Sequence, residues 1–478
     1  MNSMKTAKDG GTNSPTSSRT TPSTRALSAR ATSTRALSGW ALLAGAVIAA
    51  IGAATVVAGP VWAEESYERP PIAYSTAAPA NRVARLQARL DAGELTLKHS
   101  EPRGYLDAVL KALDVPVDSQ TLVFSKTSLQ LVRITPRTPR AIYFNDDIYV
   151  GYCQNGDVLE VSAVDPALGA VFYTLDQDPE QPVRFERRVD NCLVCHSSSR
   201  TDGVPGHLVR SLYVDRTGTP ILSAGSRTVD HTTPFDQRWG GWYVTGTHGD
   251  QKHLGNLLID GRRVAEPVDN AAGQNVLSLS ERFETDAYLS PHSDLVALMV
   301  LEHQTLVHNR ITKANFEARQ SFAYDAMMNK ALERPEGTRS ETSTRRIAGS
   351  CEDLVEALLM VDEAKLAGPV RGTSEFAARY SKQGPRDNQG RSLRELDLQT
   401  RLFKYPCSPL IYSTAFDSLP KETKTLVGQR IGDILSTETA PGAASRSSVN
   451  DKYAHLSTDD RRLLREILQQ TKPGLLPP

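Results

Sequence analysis

Residues 140–175 carry several runs of aromatic and β-branched residues that are separated by short turn sequences. Asn145-Asp146-Asp147 lies between RAIYF and IYVGY, and Asn155-Gly156 lies between IYVGY and VLEVSAV. Short Asn-, Asp- and Gly-containing turns between runs of this kind are typical of antiparallel hairpins. GAVFYTL at 169–175 continues the pattern. The middle of the chain is therefore predicted to be an antiparallel sheet.

Three more segments after this block are predicted to contain strands: 210–225 with a turn at Gly218, 240–249 and 255–264. Helical patterns lie on both sides of the block, at 82–91, 105–114, 292–334, 352–368 and 458–472. Ser290 and Pro291 are expected to cap and open the long helix, and Ser457 is expected to cap the last one. Residues 335–346 and 437–450 have the composition of linkers.

Within the predicted β-rich region the sequence reads Cys192-Leu-Val-Cys195-His196. In a helical turn the two cysteines, at i and i+3, share one face with the histidine at i+4. A thioredoxin-like redox pair would need a βαβ setting that the flanking residues do not supply. A structural zinc site would need further ligands; the chain has no second CxxC, and His207 and His231 would have to serve.

The first 63 residues have the features of an export signal. Residues 1–39 are rich in Ser, Thr, Arg and Ala, and residues 41–58 carry no charge. Val61-Trp62-Ala63 then supplies a small residue at a processing position, before Glu64-Glu65. Cleavage after this site is the favoured interpretation, and retention of residues 41–58 as a membrane anchor is the alternative. Either way, the rest of the chain is expected to be exported to the periplasm.

Through CLVCH and the export signal the chain resembles the c-type cytochromes, although we identify no named family for its whole length. The resemblance implies one covalent haem c, bound through thioethers of Cys192 and Cys195 with His196 as the proximal iron ligand. It further implies one-electron transfer with redox partner proteins that the sequence does not identify. Lys and Arg equal Asp and Glu at 55 each, so no net charge favours nucleic acid as a partner.

The second axial position of such a haem has three candidates in this sequence. His248 follows a predicted strand at a turn, His231 lies in a Pro-containing loop, and Met299 lies on the long apolar helix. Trp239 or Trp242 could pack on the porphyrin, and Arg238 or Arg210 could bind a propionate.

The predicted fold class is α+β: a β-rich haem-binding core flanked by helical segments, unlike a simple all-α cytochrome c. The segments are the signal or anchor at 1–63, an N-terminal helical segment at 64–115, the β-rich haem c domain at 116–270, a buried helical segment at 271–334 and a C-terminal helical region at 335–478. Cys351 and Cys407 could form a disulfide or stay as buried thiols, and Cys153 is expected to be buried.

The main functional hypothesis is an exported monohaem c-type cytochrome that carries electrons. A haem-dependent oxidoreductase or peroxidase, or a haem sensor, is the second hypothesis, because the chain is much longer than one electron-carrying haem requires. A zinc-binding structural exported protein is the third. The sequence leaves open whether the protein is an enzyme and shows no catalytic residues.

Overall fold

The structure, a computed structural model, describes residues 65–261, 263–264, 268–436 and 452–477. The predicted signal or anchor at 1–63 and the predicted linker at 437–450 lie outside these residues. None of the helices in the described part of the chain has both the length and the apolar character needed to cross a bilayer.

A six-stranded antiparallel sheet occupies the middle of the chain, with its strands in sequence order. The strands are β1 (Thr121–Val123), β2 (Arg140–Phe144), β3 (Ile148–Tyr152), β4 (Val158–Asp165), β5 (Gly169–Asp176) and β6 (Phe185–Arg188). The two predicted hairpins are confirmed. In the first turn, Oδ1 of Asn145 accepts hydrogen bonds from the backbone nitrogens of Asp147 and Ile148 at 3.0 and 2.9 Å. In the second, Asn155 has a φ of 53°, a left-handed conformation that asparagine tolerates.

Four short strands form two small antiparallel pairs outside this sheet. They are β7 (Val209–Leu212) with β8 (Ser226–Val229), and β9 (Gly246–Thr247) with β10 (Arg371–Gly372). Of the two strands predicted in 210–225, only the first forms. Around the Gly218 turn there is one isolated bridge, between Val214 and Pro220, in place of a hairpin.

The described residues form nine α-helices. They are α1 (Arg82–Asp91), α2 (Leu106–Ala112), α3 (Asn191–His196), α4 (Leu295–Ala331), α5 (Glu341–Leu358), α6 (Phe376–Lys382), α7 (Thr414–Asp417), α8 (Lys421–Leu435) and α9 (Thr458–Thr471). The helix predicted at 82–91 is confirmed, as is the Ser457 cap of α9.

Two helix starts differ from the predictions. The long helix α4 is capped by Asp294, whose carboxylate accepts from the backbone nitrogens of Val296 and Ala297 at 2.8 and 3.0 Å; the cap predicted at Ser290 is wrong. Helix α5 begins at Glu341, inside the predicted linker, because the side chain of Ser340 caps it.

The helices and the sheet share two large hydrophobic clusters, and the described residues belong to one compact unit. One cluster joins α4, α5, α8 and α9 to sheet residues that include Val123, Phe144 and Tyr149. The other joins α1 and α2 to the sheet. The α+β class is thereby confirmed in its general form, whereas the segment boundaries stay predictions.

Candidate functional site

The CLVCH motif forms helix α3, which follows β6 directly. Leu193 is buried and anchors the helix to the sheet cluster, while the next residue, Val194, is 78% exposed. Cys192 is partly buried and Cys195 is exposed, and both are free thiols. Cys192, Cys195 and His196 all line one cavity of about 710 Å³, which we call the first cavity. The shared face that the spacing predicts is therefore present.

The imidazole of His196 is held in one tautomer. Its Nδ1 lies 2.9 Å from the carbonyl oxygen of Gly206, and because a carbonyl can only accept, Nδ1 carries the proton. Burial lowers the pKa of His196, so the ring is neutral and Nε2 keeps its lone pair. The ring of Phe172 packs against it at 4.7 Å between centroids. This is the arrangement in which histidine binds a metal through Nε2.

Two rows of cross-strand neighbours form the sheet side of the first cavity. Gly151 pairs with Ile142 and Glu160, and Ser162 in the next row pairs with Tyr149 and Phe172. Side chains two residues apart on a strand point to the same face, which brings both rows to the cavity. All of these residues line it.

A half-buried ion pair crosses this surface. Arg140 Nη2 lies 2.7 Å from Glu160 Oε2, and Oε1 of Glu160 also accepts from Ser128 and Gln130. A Cβ atom at Gly151 would collide with the guanidinium of Arg140. Glycine at this position therefore lets the arginine lie flat across the sheet and reach its carboxylate partner.

Two further cations, Arg210 and Lys126, line the first cavity. Arg210 Nη2 donates to Ser226 Oγ at 2.8 Å, and neither Arg210 nor Lys126 forms an ion pair with a described carboxylate. Burial and the neighbouring Arg200 lower the pKa of Arg210. An anionic group bound in the cavity would relieve that cost.

The sequence offered two tryptophans to pack on a porphyrin and two arginines to bind a propionate. Of these, Trp242 and Arg210 lie at the first cavity. Trp242 Nε1 donates to the carbonyl oxygen of Arg210 at 2.7 Å. Trp239 and Arg238 lie elsewhere and both bind the buried carboxylate of Glu302.

The structure does not bring the three predicted distal ligands to the first cavity. His231 lies against His303, with their Nδ1 atoms 3.1 Å apart. His248 Nε2 accepts from the backbone nitrogen of Asn275 at 3.1 Å. Met299 is 3% exposed and packs in the hydrophobic cluster of α4. Their positions follow from tertiary packing, which spacing along the chain does not encode.

His207 is the histidine that lines the first cavity together with His196, and the sequence pointed to it only as a zinc ligand. Its Nε2 lies 2.7 Å from Ser162 Oγ, and its ring packs against Tyr149 at a tilt of 33°, with 4.2 Å between centroids. Burial holds its pKa well below the usual value. His207 directly follows Gly206, whose carbonyl oxygen binds His196. This glycine is the sequence feature that could have pointed to His207.

Among the residues that the structure describes, no three His, Cys, Asp or Glu side chains converge to hold a metal ion. These residues include every cysteine and histidine of the chain. The described residues therefore provide no set of ligands for a tetrahedral zinc ion. Cys153, Cys351 and Cys407 are buried free thiols, so the predicted alternative of unpaired cysteines applies.

Comparison with protein-family models, curated proteins and solved structures gives no match to this chain.

Proposed function

We propose that this chain is an exported c-type haem protein with one haem, which Cys192 and Cys195 hold through thioether bonds and His196 binds through Nε2. One observation carries the proposal: the two thiols and the imidazole, on a single helical turn, line one cavity of about 710 Å³. That volume lies within the range of cofactor and small-molecule sites.

The surrounding residues fit a flat, partly anionic group. Phe172 and Trp242 supply aromatic walls, and Arg210 and Lys126 supply cations for carboxylates. The Arg140–Glu160 pair keeps the sheet surface electrically neutral. Gly206 fixes the ring of His196 by accepting from Nδ1, which also makes Nε2 a stronger donor to a metal.

When bound, haem c supplies one-electron redox chemistry. The function that follows is electron transfer between partner proteins in the periplasm. A second candidate is a haem-dependent oxidoreductase or sensor. His207 and Ser162 favour it, because they place a hydrogen-bonded polar pair in the cavity wall, and pocket polarity decides whether a haem binds small ligands.

The test is whether purified, full-length protein expressed with a haem c maturation system carries covalent haem. We expect a c-type pyridine haemochrome spectrum that survives acid–acetone extraction. The Cys192→Ala/Cys195→Ala double variant should lose the covalent haem, and Cys351→Ala, at a buried thiol away from the cavity, should keep it. A colourless protein with stoichiometric zinc would refute the proposal.

Export is a separate part of the proposal and has its own test. Mass spectrometry of the N-terminus should show cleavage close to Ala63, or, in the anchored alternative, an intact leader in the membrane fraction. Recovery of the full chain from the cytosol alone would contradict export.

A further inference from the structure

A second cavity, of about 830 Å³, lies at the β2–β3 hairpin turn, and Asn145, Asp146 and Asp147 of the turn line it. Its wall includes Phe144, Asp147, Phe376 and Tyr380, and no residue lines both cavities. Gln304 separates the two, since it lines the second cavity and donates from Nε2 to the Tyr149 hydroxyl of the first at 2.8 Å.

One wall of the second cavity is aromatic. The rings of Phe144 and Phe376 lie 5.6 Å apart between centroids, and Phe376 stacks on Tyr380 at 5.5 Å with an interplanar angle of 22°. Tyr412 also lines the space. Aromatic surfaces of this kind bind flat rings by offset stacking or edge contacts.

The charges on its wall are mostly compensated within the protein. Three arginines of the wall are ion-paired: Arg82 with Asp114, Arg379 with Asp118 and Arg394 with Asp146. A ligand in the cavity thus meets little net charge from these groups.

The carboxyl of Asp147 is a polar group of the wall that the protein leaves available. Its backbone nitrogen is bound by Asn145, but no described residue donates to its carboxylate. Burial, and then the neighbouring Asp146, raises the pKa of Asp147 to about 6. A half-buried carboxyl beside an aromatic wall can accept a hydrogen bond from a hydroxyl group of a ligand.

We infer that the second cavity is a binding site for a small phenol, whose ring packs on Phe376 and Tyr380 and whose hydroxyl donates to Asp147. A cationic amine fits less well, because the ammonium group of Lys111, which pairs with no described carboxylate, lines the same cavity. A dianion fits less well because it would lie against the carboxylate of Asp147, to which no described residue donates. A neutral aromatic molecule with one hydroxyl can contact the aromatic wall through its ring and donate a hydrogen bond to the carboxyl.

The test is calorimetric titration of the full-length protein with 4-methylphenol, and with toluene as the matched probe that lacks the hydroxyl. We expect one site for 4-methylphenol and at least about tenfold weaker binding of toluene, because one hydrogen bond to a charged group is lost. Asp147→Asn should weaken 4-methylphenol binding by about tenfold. Asp178→Asn, at an exposed carboxylate outside the cavity, should not.

A second variant keeps the inference testable if Asp147→Asn does not fold. Gln383 is exposed at the wall of the second cavity, so Gln383→Trp leaves the core intact and narrows the opening. It should also weaken binding. Equal binding of the two probes, or 4-methylphenol affinity unchanged by both variants, overturns the inference.

The inference does not depend on the haem proposal. The Cys192→Ala/Cys195→Ala variant should bind 4-methylphenol as the wild type does, because these cysteines line only the first cavity. If that variant loses the phenol site as well, the ligand binds in the first cavity and our assignment is wrong.

Discussion

The Nδ1 atoms of His231 and His303 lie 3.1 Å apart in the protein interior. His231 Nε2 contacts the carbonyl oxygen of Val361 at 3.3 Å, so it carries the proton and its Nδ1 accepts from His303. His303 Nε2 then accepts from the hydroxyl of Ser408 at 2.8 Å. Both rings are neutral, and they join α4 to two distant segments of the chain.

This pair should make the protein sensitive to acid. Burial lowers the pKa of His231 to about 4, although Asp230 and Asp362 oppose the shift and Arg238 adds to it. Burial also holds the pKa of His303 well below its usual value. Between about pH 6.5 and pH 4 the unfolded chain binds protons that the folded protein does not, so the free energy of unfolding falls as the pH drops. We expect His231 alone to account for ~2 kcal/mol between pH 7.5 and pH 5.

Urea denaturation at these two pH values measures the effect. His231→Gln should be less stable at pH 7.5 but should lose less on acidification than the wild type. His99→Gln, at a partly exposed histidine, should keep the wild-type loss. The same dependence on pH in all three proteins would show that the buried pair does not titrate on unfolding.

Gly151 is predicted to resist replacement unless Arg140 shifts. Gly151→Ala places a methyl group against the guanidinium of Arg140 and disturbs its pairing with Glu160. We expect the free energy of unfolding to fall by about 1–3 kcal/mol. Gly349→Ala is the matched control: Gly349 lies in helix α5 with open space around it, so alanine should stabilise by about 0.5–1 kcal/mol. Chemical denaturation of both variants tests the contrast, and a neutral Gly151→Ala would show that Arg140 can move aside.

The sequence predicted the parts of the structure that local chemistry determines. Alternation and turn residues define the β2–β3 and β3–β4 hairpins, and spacing defines the face that Cys192 and His196 share. The strands predicted at 240–249 and 255–264 are wrong in most of their length. There the side-chain amide of Asn256 binds both the nitrogen and the oxygen of Val244, at 2.9 and 2.8 Å, in place of a neighbouring strand. This replacement of a strand by a side-chain amide depends on a tertiary contact, and so does the position of His207. Tertiary contacts leave no periodic signal in the sequence.

The cap of α4 is a second case in which tertiary contacts decide, and it gives a prediction. Ser290 and Asp294 are both good capping residue types, but only Asp294 uses its side chain to bind a distant segment as well. Its Oδ2 accepts from the nitrogens of Thr373 and Ser374 and from the Ser374 hydroxyl, each at 2.8 Å. Asp294→Ala removes the cap and leaves buried donors unpaired, which should cost about 3–5 kcal/mol. Ser290→Ala should change stability by less than about 0.5 kcal/mol. Thermal or urea unfolding distinguishes the two, and equal effects would refute the role assigned to Asp294.

The proposed haem ligand makes the last prediction. His196→Ala leaves Cys192 and Cys195 in place, so the covalent haem should remain while the absorption spectrum changes through loss of the imidazole. Exogenous imidazole should restore much of the wild-type spectrum, because removal of the side chain opens space beside Phe172 and the Gly206 carbonyl can accept from the added ring. His99→Ala should leave the spectrum unchanged. A wild-type spectrum in His196→Ala, with haem still attached, would mean that a different residue binds the iron and that the Nδ1–Gly206 contact has only a structural role.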